Sequence, residues 1–335
     1  MDNRVSRLID LVKKLHEDCL DDAIDYMQEK LKKISGDKPI PPCPHCKSES
    51  VTRFGQKHGR LRYRCKDCGK TFVETTNTIM YHSHSREAVW RQVASDTLDG
   101  VPIDQTAASV GVSHATAFRM RHKILLTFES DESRTPTVLG GVCELDDTYV
   151  LESHKGTEIP ESYWRKARKH GATAQKRGIS NEYVCISTGV ERDGSAISRT
   201  ATRSVPSKED MVEVFSGHIE QESLILCDGC TSYNALGEDC KCTVKNVYEE
   251  TDVPKGGKGF FNINTANSFH SFIKARYVQF RGVATKYLNR YNALFSKTFR
   301  CGSNLADEVF NDMISNDVQR WHSVNDVKTL NLLNI

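Results

Sequence analysis

Residues 142–150 read Val-Cys-Glu-Leu-Asp-Asp-Thr-Tyr-Val, and this stretch decides the fold. Its β-branched, aromatic and other apolar residues predict a β-strand. Successive side chains of a strand point to opposite faces, so Glu144 and Asp146 share one face and Asp147 lies on the other. The stretch therefore predicts a strand that carries a carboxylate, Asp146, at its middle.

The residues that follow predict more strands and a helix. Segments 183–186 and 196–200 are two strands, joined through an Asp-Gly turn. Ser207 to Gln221 is a predicted helix with Ser207 as its cap. The apolar run Ser223 to Cys227 is a further strand, and Asp228-Gly229 ends it. Three strands, a helix and another strand are typical of an α/β domain.

A later helix, Thr265 to Val278, adds two polar side chains. Asn267 and Lys274 are seven residues apart, which is two turns, so both project from one face. Carboxylates that bind divalent metal usually converge from strand ends, and an amide oxygen is a neutral metal ligand. Together with Asp146 and Asp228, this set suits metal-dependent phosphodiester chemistry. Each residue also has an ordinary reading, as a turn residue, a helix residue or a solvated charge.

Two Cys-x-x-Cys pairs lie in the N-terminal part of the chain. Cys43, Cys46, Cys65 and Cys68 have the spacing of a zinc ribbon, which we predict over residues 40–78 around one structural zinc ion. A closed site of four cysteines leaves no position for chemistry, so the role of the ribbon depends on its surface. Basic side chains favour DNA contact over protein docking; they are Lys57, Arg60, Arg62, Arg64, Lys66 and Lys70.

The segment between ribbon and strand has the outline of a helix-turn-helix, which we place within 84–127. Ala107 or Ala108 lets two helices approach, Gly111 takes the turn and Ser113 caps the second helix. The second helix is predicted to read the major groove with the side chains Thr116, Arg119, Arg121, His122 and Lys123. The alternative is that the two helices serve only to pack the domain and do not contact DNA.

Three other segments admit two readings each. Residues 1–36 form a predicted helical leader that packs or dimerises, with a DNA-contacting arm as the alternative. The basic segment 154–177 contacts DNA or is a solvated loop. A second cysteine group is interpreted as ordinary thiols rather than zinc ligands; its members are Cys227, Cys230, Cys240 and Cys242.

Composition narrows the class of protein. The chain has 335 residues, 46 basic and 44 acidic side chains and a formal net charge of +2. Residues 43–125 alone hold thirteen basic and seven acidic side chains, which indicates a part that touches a polyanion. No stretch approaches a membrane span, and the N-terminus lacks a signal-peptide core. With 12 Cys, these features predict a cytoplasmic protein with reduced thiols.

Three stretches together resemble bacterial insertion-sequence transposases of the ISXO-like group, which join an N-terminal zinc ribbon to an RNase H-like catalytic domain. Residues 144–149 are similar to the family's Glu-x-Asp-Glu-Thr-Tyr strand, and 227–229 to its second catalytic Asp before Gly. Residues 264–274, followed by 280–288, are similar to the subgroup whose third catalytic residue is Asn, with Lys seven residues later. Asp147 departs from the family, which has Glu there.

The resemblance implies a multi-domain α+β chain with an RNase H-like domain and a mixed sheet over 138–320. It also implies catalytic Asp146, Asp228, Asn267 and Lys274, the first three holding two Mg²⁺ or Mn²⁺ ions. Asp147 could support Asp146 without binding the metal itself. The implied activity is nicking at the ends of an insertion sequence and strand transfer into target DNA, by a homodimer or higher multimer on double-stranded DNA. Such a protein would associate with the nucleoid and not with membranes.

Two rival functions stay open at this point. One is a DNA-binding regulator, built from the ribbon and the helix-turn-helix, whose nuclease-like domain is inactive. The other is a nuclease that cuts DNA but cannot join it.

Overall fold

A computed structural model describes residues 40–299, apart from residues 58–59, 157, 160, 167, 169–171, 193, 230 and 248–260. The predicted leader over 1–36 and the end of the predicted catalytic domain, 300–320, lie outside this range. The chain divides into two compact units, with the boundary between Thr76 and Asn77. Within the described residues, no helix has the length and apolarity that crossing a bilayer requires.

The first unit is a small antiparallel sheet. Strand β1 spans Val51–Lys57, β2 Arg60–Cys65 and β3 Thr71–Val73, with β2 in the centre. Tyr63 and Phe72 stack at 5.5 Å between ring centroids and form its core with Val51 and two buried cysteines. Three short strands around a cysteine cluster confirm the predicted ribbon.

The second unit is built on a five-stranded mixed sheet. Its strands are β4 Val142–Leu151, β5 Tyr183–Glu191, β6 Ala196–Arg203, β7 Leu224–Cys227 and β8 Thr243–Asn246. Their order is β6-β5-β4-β7-β8, so β4 is the central strand. It pairs antiparallel with β5 and parallel with β7, and β7 pairs parallel with β8. The mixed sheet was predicted, whereas β8 was not.

Seven α-helices lie within the described part of the second unit. They are α1 Glu87–Leu98, α2 Ile103–Val110, α3 His114–Arg134, α4 Lys208–Phe215, α5 Asn234–Asp239, α6 Asn264–Gln279 and α7 Leu288–Thr298. The side chain of Ser207 caps α4 and accepts from Asp210, which bonds back to the Ser207 N–H as a capping box. The prediction that this helix reaches Gln221 is wrong, because it ends at Phe215.

Two hydrophobic clusters cover the two faces of the sheet. One cluster joins Leu145 of β4 to Met211 and Phe215 of α4. The other joins β5 to α6 and α7 and also contains Trp90 of α1 and Ile124 of α3. The helix-turn-helix region therefore shares a core with the sheet. Since α6 packs on the side opposite Leu145, the side chains of Glu144 and Asp146 face α6.

Candidate active site

Asp146 lies in the middle of β4 with its side chain 15% exposed. Its Oδ1 accepts a hydrogen bond from the Asp147 N–H at 2.8 Å, and its Oδ2 lies 3.4 Å from Nδ1 of His270. Burial, and then the negative charge of Asp228, raise the pKa of Asp146 to about 7. Two neighbouring carboxylates offer oxygen donors that suit a divalent cation.

Asp228 directly follows β7, the parallel neighbour of β4. The register pairs Glu144 with Leu226, so Asp146 and Asp228, each two residues further on, lie side by side. The turn after Asp228 depends on glycine. Gly229 has a φ of +96°, and a Cβ there would come within 2.9 Å of the Asn246 side chain. The strand-end position predicted for Asp228 is confirmed.

His270 connects α6 to the middle of the sheet. The Thr188 hydroxyl donates to the backbone oxygen of Asp146 at 2.8 Å, so it accepts from Nε2 of His270 at 2.7 Å. This leaves Nδ1 facing the Asp146 carboxyl group. Burial, followed by the charge of Lys274, lowers the pKa of His270 to about 4, and the ring is therefore neutral at pH 7.

Asn267 and Lys274 lie on the same side of α6 as His270, and both are exposed. The positive charge of Lys274 lowers the pKa of His270 and partly opposes the rise in the pKa of Asp146. Its ammonium group is therefore near both side chains. Asn267 lies one turn before His270. The structure thus brings Asp146, Asp228 and Lys274 together and sets Asn267 on the adjacent turn.

Asp147 lies on the opposite face of the sheet from Asp146, as side-chain alternation predicted. Its Oδ1 accepts a 2.6 Å hydrogen bond from the Ser187 hydroxyl, and burial raises its pKa. The neighbouring carboxylates therefore have separate surroundings, and only Asp146 faces α6.

Three residues of this site were missed by sequence reasoning. Glu144, His270 and Thr188 all tie α6 to the sheet. Alternation along β4 puts Glu144 beside Asp146, and helical spacing puts His270 on the face of Asn267, so two of the three left a signal. Thr188 left none, because its position depends on the register of β5.

The four predicted zinc ligands form a compact cluster in the first unit. Their sulfur atoms all lie within 4.8 Å of one another. Sγ of Cys43 is 3.6 Å from that of Cys68, and Sγ of Cys46 is 3.5 Å from that of Cys65. Tetrahedral zinc with bonds of about 2.3 Å separates its sulfurs by about 3.8 Å, so the cluster could hold such an ion.

A backbone N–H favours the thiolate form of one of these cysteines. The N–H of Cys68 donates to Sγ of Cys65 at 3.5 Å and is the main cause that lowers the pKa of this thiol to about 6. The thiolate is the form that binds zinc. Gly69, with a φ of +70°, continues the turn after the second pair.

The second cysteine group is embedded elsewhere. Cys227 and Cys240 are buried in the cluster beneath α4, and the Cys242 thiol donates to the Leu236 oxygen at 3.3 Å. Cys230 lies outside the described residues. Within the described part of the chain, the ribbon cysteines are the only cysteines that lie close enough together to hold a metal.

The helix-turn-helix geometry is present, but two of its predicted DNA contacts are wrong. Gly111 takes the left-handed turn, and the Ser113 hydroxyl accepts from the Thr116 N–H. Arg121 is buried and donates to the Val101 oxygen. His122 is buried against Tyr287, and burial lowers its pKa to about 3.

The remaining side chains of α3 divide between solvent and core. Lys123 donates to the Ile79 oxygen at 3.3 Å, and its ammonium group lies 5.8 Å from the Trp90 ring. Arg119 is exposed, and Thr116 is half-buried. The second half of the proposed reading helix therefore packs inward, because α3 lies against α7.

In the basic segment between β4 and β5, some of the arginines pair with carboxylates of the same domain. Buried Glu152 accepts from Arg165, Tyr163 and Arg203. Arg168 pairs with Glu182 at 2.9 Å. Among the described residues of this segment, the basic side chains that stay exposed are Lys155, Lys166, Lys176 and Arg177.

Comparison with known proteins finds similarity to proteins of mobile elements. Residues 138–300 match the family described as ISXO2-like transposase domain. A protein of Halobacterium salinarum, described as an uncharacterized protein in transposable element ISH50, is 28% identical over 255 residues. The match covers 76% of this chain and 83% of that protein.

Solved structures give only distant likenesses. A chain of the Mos1 strand transfer complex is 12% identical with a TM-score of 0.27, over 75% of this chain and 80% of its own length. A chain of the Mos1 paired-end complex is 12% identical with a TM-score of 0.26, over 73% and 79%. These values are too low to inform the fold or function of this chain.

Proposed function

We propose that the chain is an insertion-sequence transposase, with an ISXO2-like domain over residues 138–300, that nicks the element ends and joins them to target DNA by metal-dependent chemistry. The observation that carries this proposal is the meeting of Asp146, Asp228 and Lys274 from three separate elements. A nuclease-like domain that had lost its activity would have no reason to retain all four predicted residues, so we do not favour the inactive regulator.

Asp146, Asp228 and Asn267 would hold the two catalytic metal ions. Hard oxygen donors suit Mg²⁺ or Mn²⁺. A cation would favour the ionised form of Asp146, whose pKa is raised by burial and then by the charge of Asp228. Such ions, when bound, activate a water molecule or a DNA 3′-hydroxyl and stabilise the leaving oxygen of an in-line displacement.

The other residues of the site would position the substrate and the ligands. Lys274 is exposed beside Asp146 and would bind a non-bridging phosphate oxygen as a point charge. Asn267 is neutral where a third carboxylate would repel the DNA backbone. Thr188, which bonds to both the backbone oxygen of Asp146 and the His270 ring, would hold α6 against β4 beside Asp146.

Double-stranded DNA would contact basic surfaces of both units. In the ribbon, Arg62 and Arg64 each lie 5.5 Å from the ring of exposed Phe54, a mixture of cationic and aromatic groups that suits a nucleic acid. In the second unit, Arg119 and the exposed Lys155 would add contacts. One zinc ion per chain would hold the ribbon together, and two or more chains would assemble on DNA to bring both element ends to one target.

Replacement of Asp228 tests the proposed function. In Asp228→Ala we expect nicking and joining of DNA that carries the element ends to be lost, with end binding retained, since the side chain lies among the metal ligands and not on a basic surface. Glu238→Ala, which removes an exposed carboxylate from α5, is the matched control and should act as the wild type. Undiminished cleavage by Asp228→Ala would exclude this site.

A further inference from the structure

The side chain of Glu144 is 1% exposed and is fully engaged in hydrogen bonds. Its Oε2 accepts from the backbone N–H groups of Thr265 and Ala266, at 2.7 and 3.1 Å. Its Oε1 accepts from Nε of Arg192 at 2.8 Å. A buried carboxylate on the central strand thus binds the first turn of α6.

This contact supplies a cap that the N-cap residue of α6 cannot provide. Ile263 stands at the N-cap position with an apolar side chain, and the side chain of the neighbouring Asn262 accepts from the Asn264 N–H, at 3.2 Å. Serine, threonine or aspartate usually fills that position, because the first N–H groups of a helix have no partner within it. Here the partner comes from β4, and its negative charge is favourable at a helix N-terminus.

Arg192 extends the contact to the segment before the helix. One of its terminal nitrogens donates to the Asn262 oxygen at 3.0 Å, while its Nε binds Glu144. The arginine follows β5 directly, so β4, β5 and the start of α6 meet at one ion pair. The charge of the buried carboxylate is therefore balanced where it caps the helix.

The spacing along the two elements agrees with a fixed alignment. Glu144 touches residues 265 and 266, and Asp146 touches His270. Two strand residues rise about 6.6 Å. The four to five helix residues between these contacts rise about 6.8 Å. The helix therefore runs alongside β4 in step with it, and Asn267 falls between the two points of attachment.

From this geometry we propose that Glu144, together with Arg192, is a positioning residue that sets Asn267 at the correct place along Asp146 for the pair to share metal. The inference rests on the proposed function. Glu144 itself binds neither metal nor DNA, because both of its oxygens are occupied by the helix and by Arg192.

The experiment measures Mn²⁺ binding to the zinc-loaded full-length protein by titration calorimetry, and amide hydrogen exchange at the start of α6. In Glu144→Ala we expect Mn²⁺ affinity to fall about tenfold or more, and the Thr265 and Ala266 amides to exchange faster. In Glu144→Gln, one amide oxygen still accepts from the helix, so the fall should be about threefold. This variant keeps the test valid if Glu144→Ala does not fold.

Glu152→Ala is the matched control. It also removes a buried, arginine-paired carboxylate next to β4, but at the opposite end of the strand from the first turn of α6. It should lose a similar amount of stability and keep the Mn²⁺ affinity of the wild type. Equal losses of affinity in Glu144→Ala and Glu152→Ala would mean a general effect on stability and would overturn the inference.

The failures of the two proposals can be told apart. If Asp228→Ala binds Mn²⁺ as tightly as the wild type, the proposed function fails and the inference fails with it. If Asp228→Ala loses Mn²⁺ while both Glu144 variants bind it normally, only the positioning role of Glu144 is overturned.

Discussion

The two candidate metal sites of this chain are assembled in opposite ways. The four cysteines come from two tight turns of one small sheet, and their sulfurs already lie within 4.8 Å of one another. Asp146, Asp228 and Asn267 come from two strands and a helix that are distant in sequence. The first site depends on local turns, whereas the second depends on sheet register and on the docking of α6. Residues that touch no metal should therefore matter more at the second site.

The largest expected effect is at the site assembled from distant elements. In Asp146→Asn we expect nicking to fall by about 1,000-fold or more, because the residue faces both Asp228 and α6. Initial rates on DNA that carries the element ends would measure it. Normal end binding in the same variant would show that the loss is chemical. A rate within tenfold of the wild type would remove Asp146 from the site.

The local site should respond to a single thiol. In Cys65→Ser we expect bound zinc to drop from one ion per chain to none, since metal binding supplies about 10 kcal/mol or more of the folding free energy of such ribbons. The sheet of the second unit should melt as in the wild type, because the two units have separate cores. Elemental analysis and thermal unfolding would report both results. One zinc ion retained in the variant would indicate the second cysteine group instead.

An intermediate effect should come from pH. Asp146 has a pKa of about 7 in the metal-free protein, so a cation must displace a proton from it below pH 7. Mn²⁺ affinity should rise about tenfold per pH unit between pH 5.5 and 6.5 and level off above pH 7. His270, with a pKa of about 4, stays neutral over this range. Calorimetry at several pH values would test this, and a flat profile would contradict it.

The raised pKa of Asp146 also makes the metal-free fold less stable as pH rises. A carboxyl group whose pKa is raised on folding contributes stability below its unfolded pKa of 3.8, and that contribution is lost as pH approaches 7. Asp146→Asn should remove this part of the pH dependence. The difference between variant and wild-type melting curves isolates it from the buried histidines, which act in the opposite direction.

The smallest effect should come from the adjacent carboxylate. In Asp147→Asn we expect nicking within about threefold of the wild type, because its amide oxygen can still accept from Ser187 on the other face of the sheet. Parallel assays of Asp146→Asn and Asp147→Asn would give the sharpest contrast. A large loss in Asp147→Asn would mean that the two faces of β4 are coupled.

The difference between local and distant assembly also explains which features could be predicted from the sequence. The ribbon could be predicted because cysteine spacing is local, and β4 because period-two alternation is local. Glu144 and Thr188 were missed because their roles require the docking of α6 and the register of β5. Arg121 and His122 were misassigned because basic side chains near a helix start look alike whether they face DNA or a core. Only the packing of α3 on α7 distinguishes the two cases.

The two ends of the segment between β4 and β5 are held together by hydrogen bonds. The Glu152 N–H donates to the Glu182 oxygen at 2.9 Å, and Arg168 donates to the backbone oxygens of both residues. Because these contacts fix both ends, the chain between them can be lengthened without shifting the strand register that aligns Asp146. The N–H groups of Gln175 and Lys176 bond to Glu182, so insertions are expected to be tolerated after them, between the exposed residues Arg177 and Gly178. This makes the segment a suitable place for a fluorescent label, and a place where related chains can diverge in length.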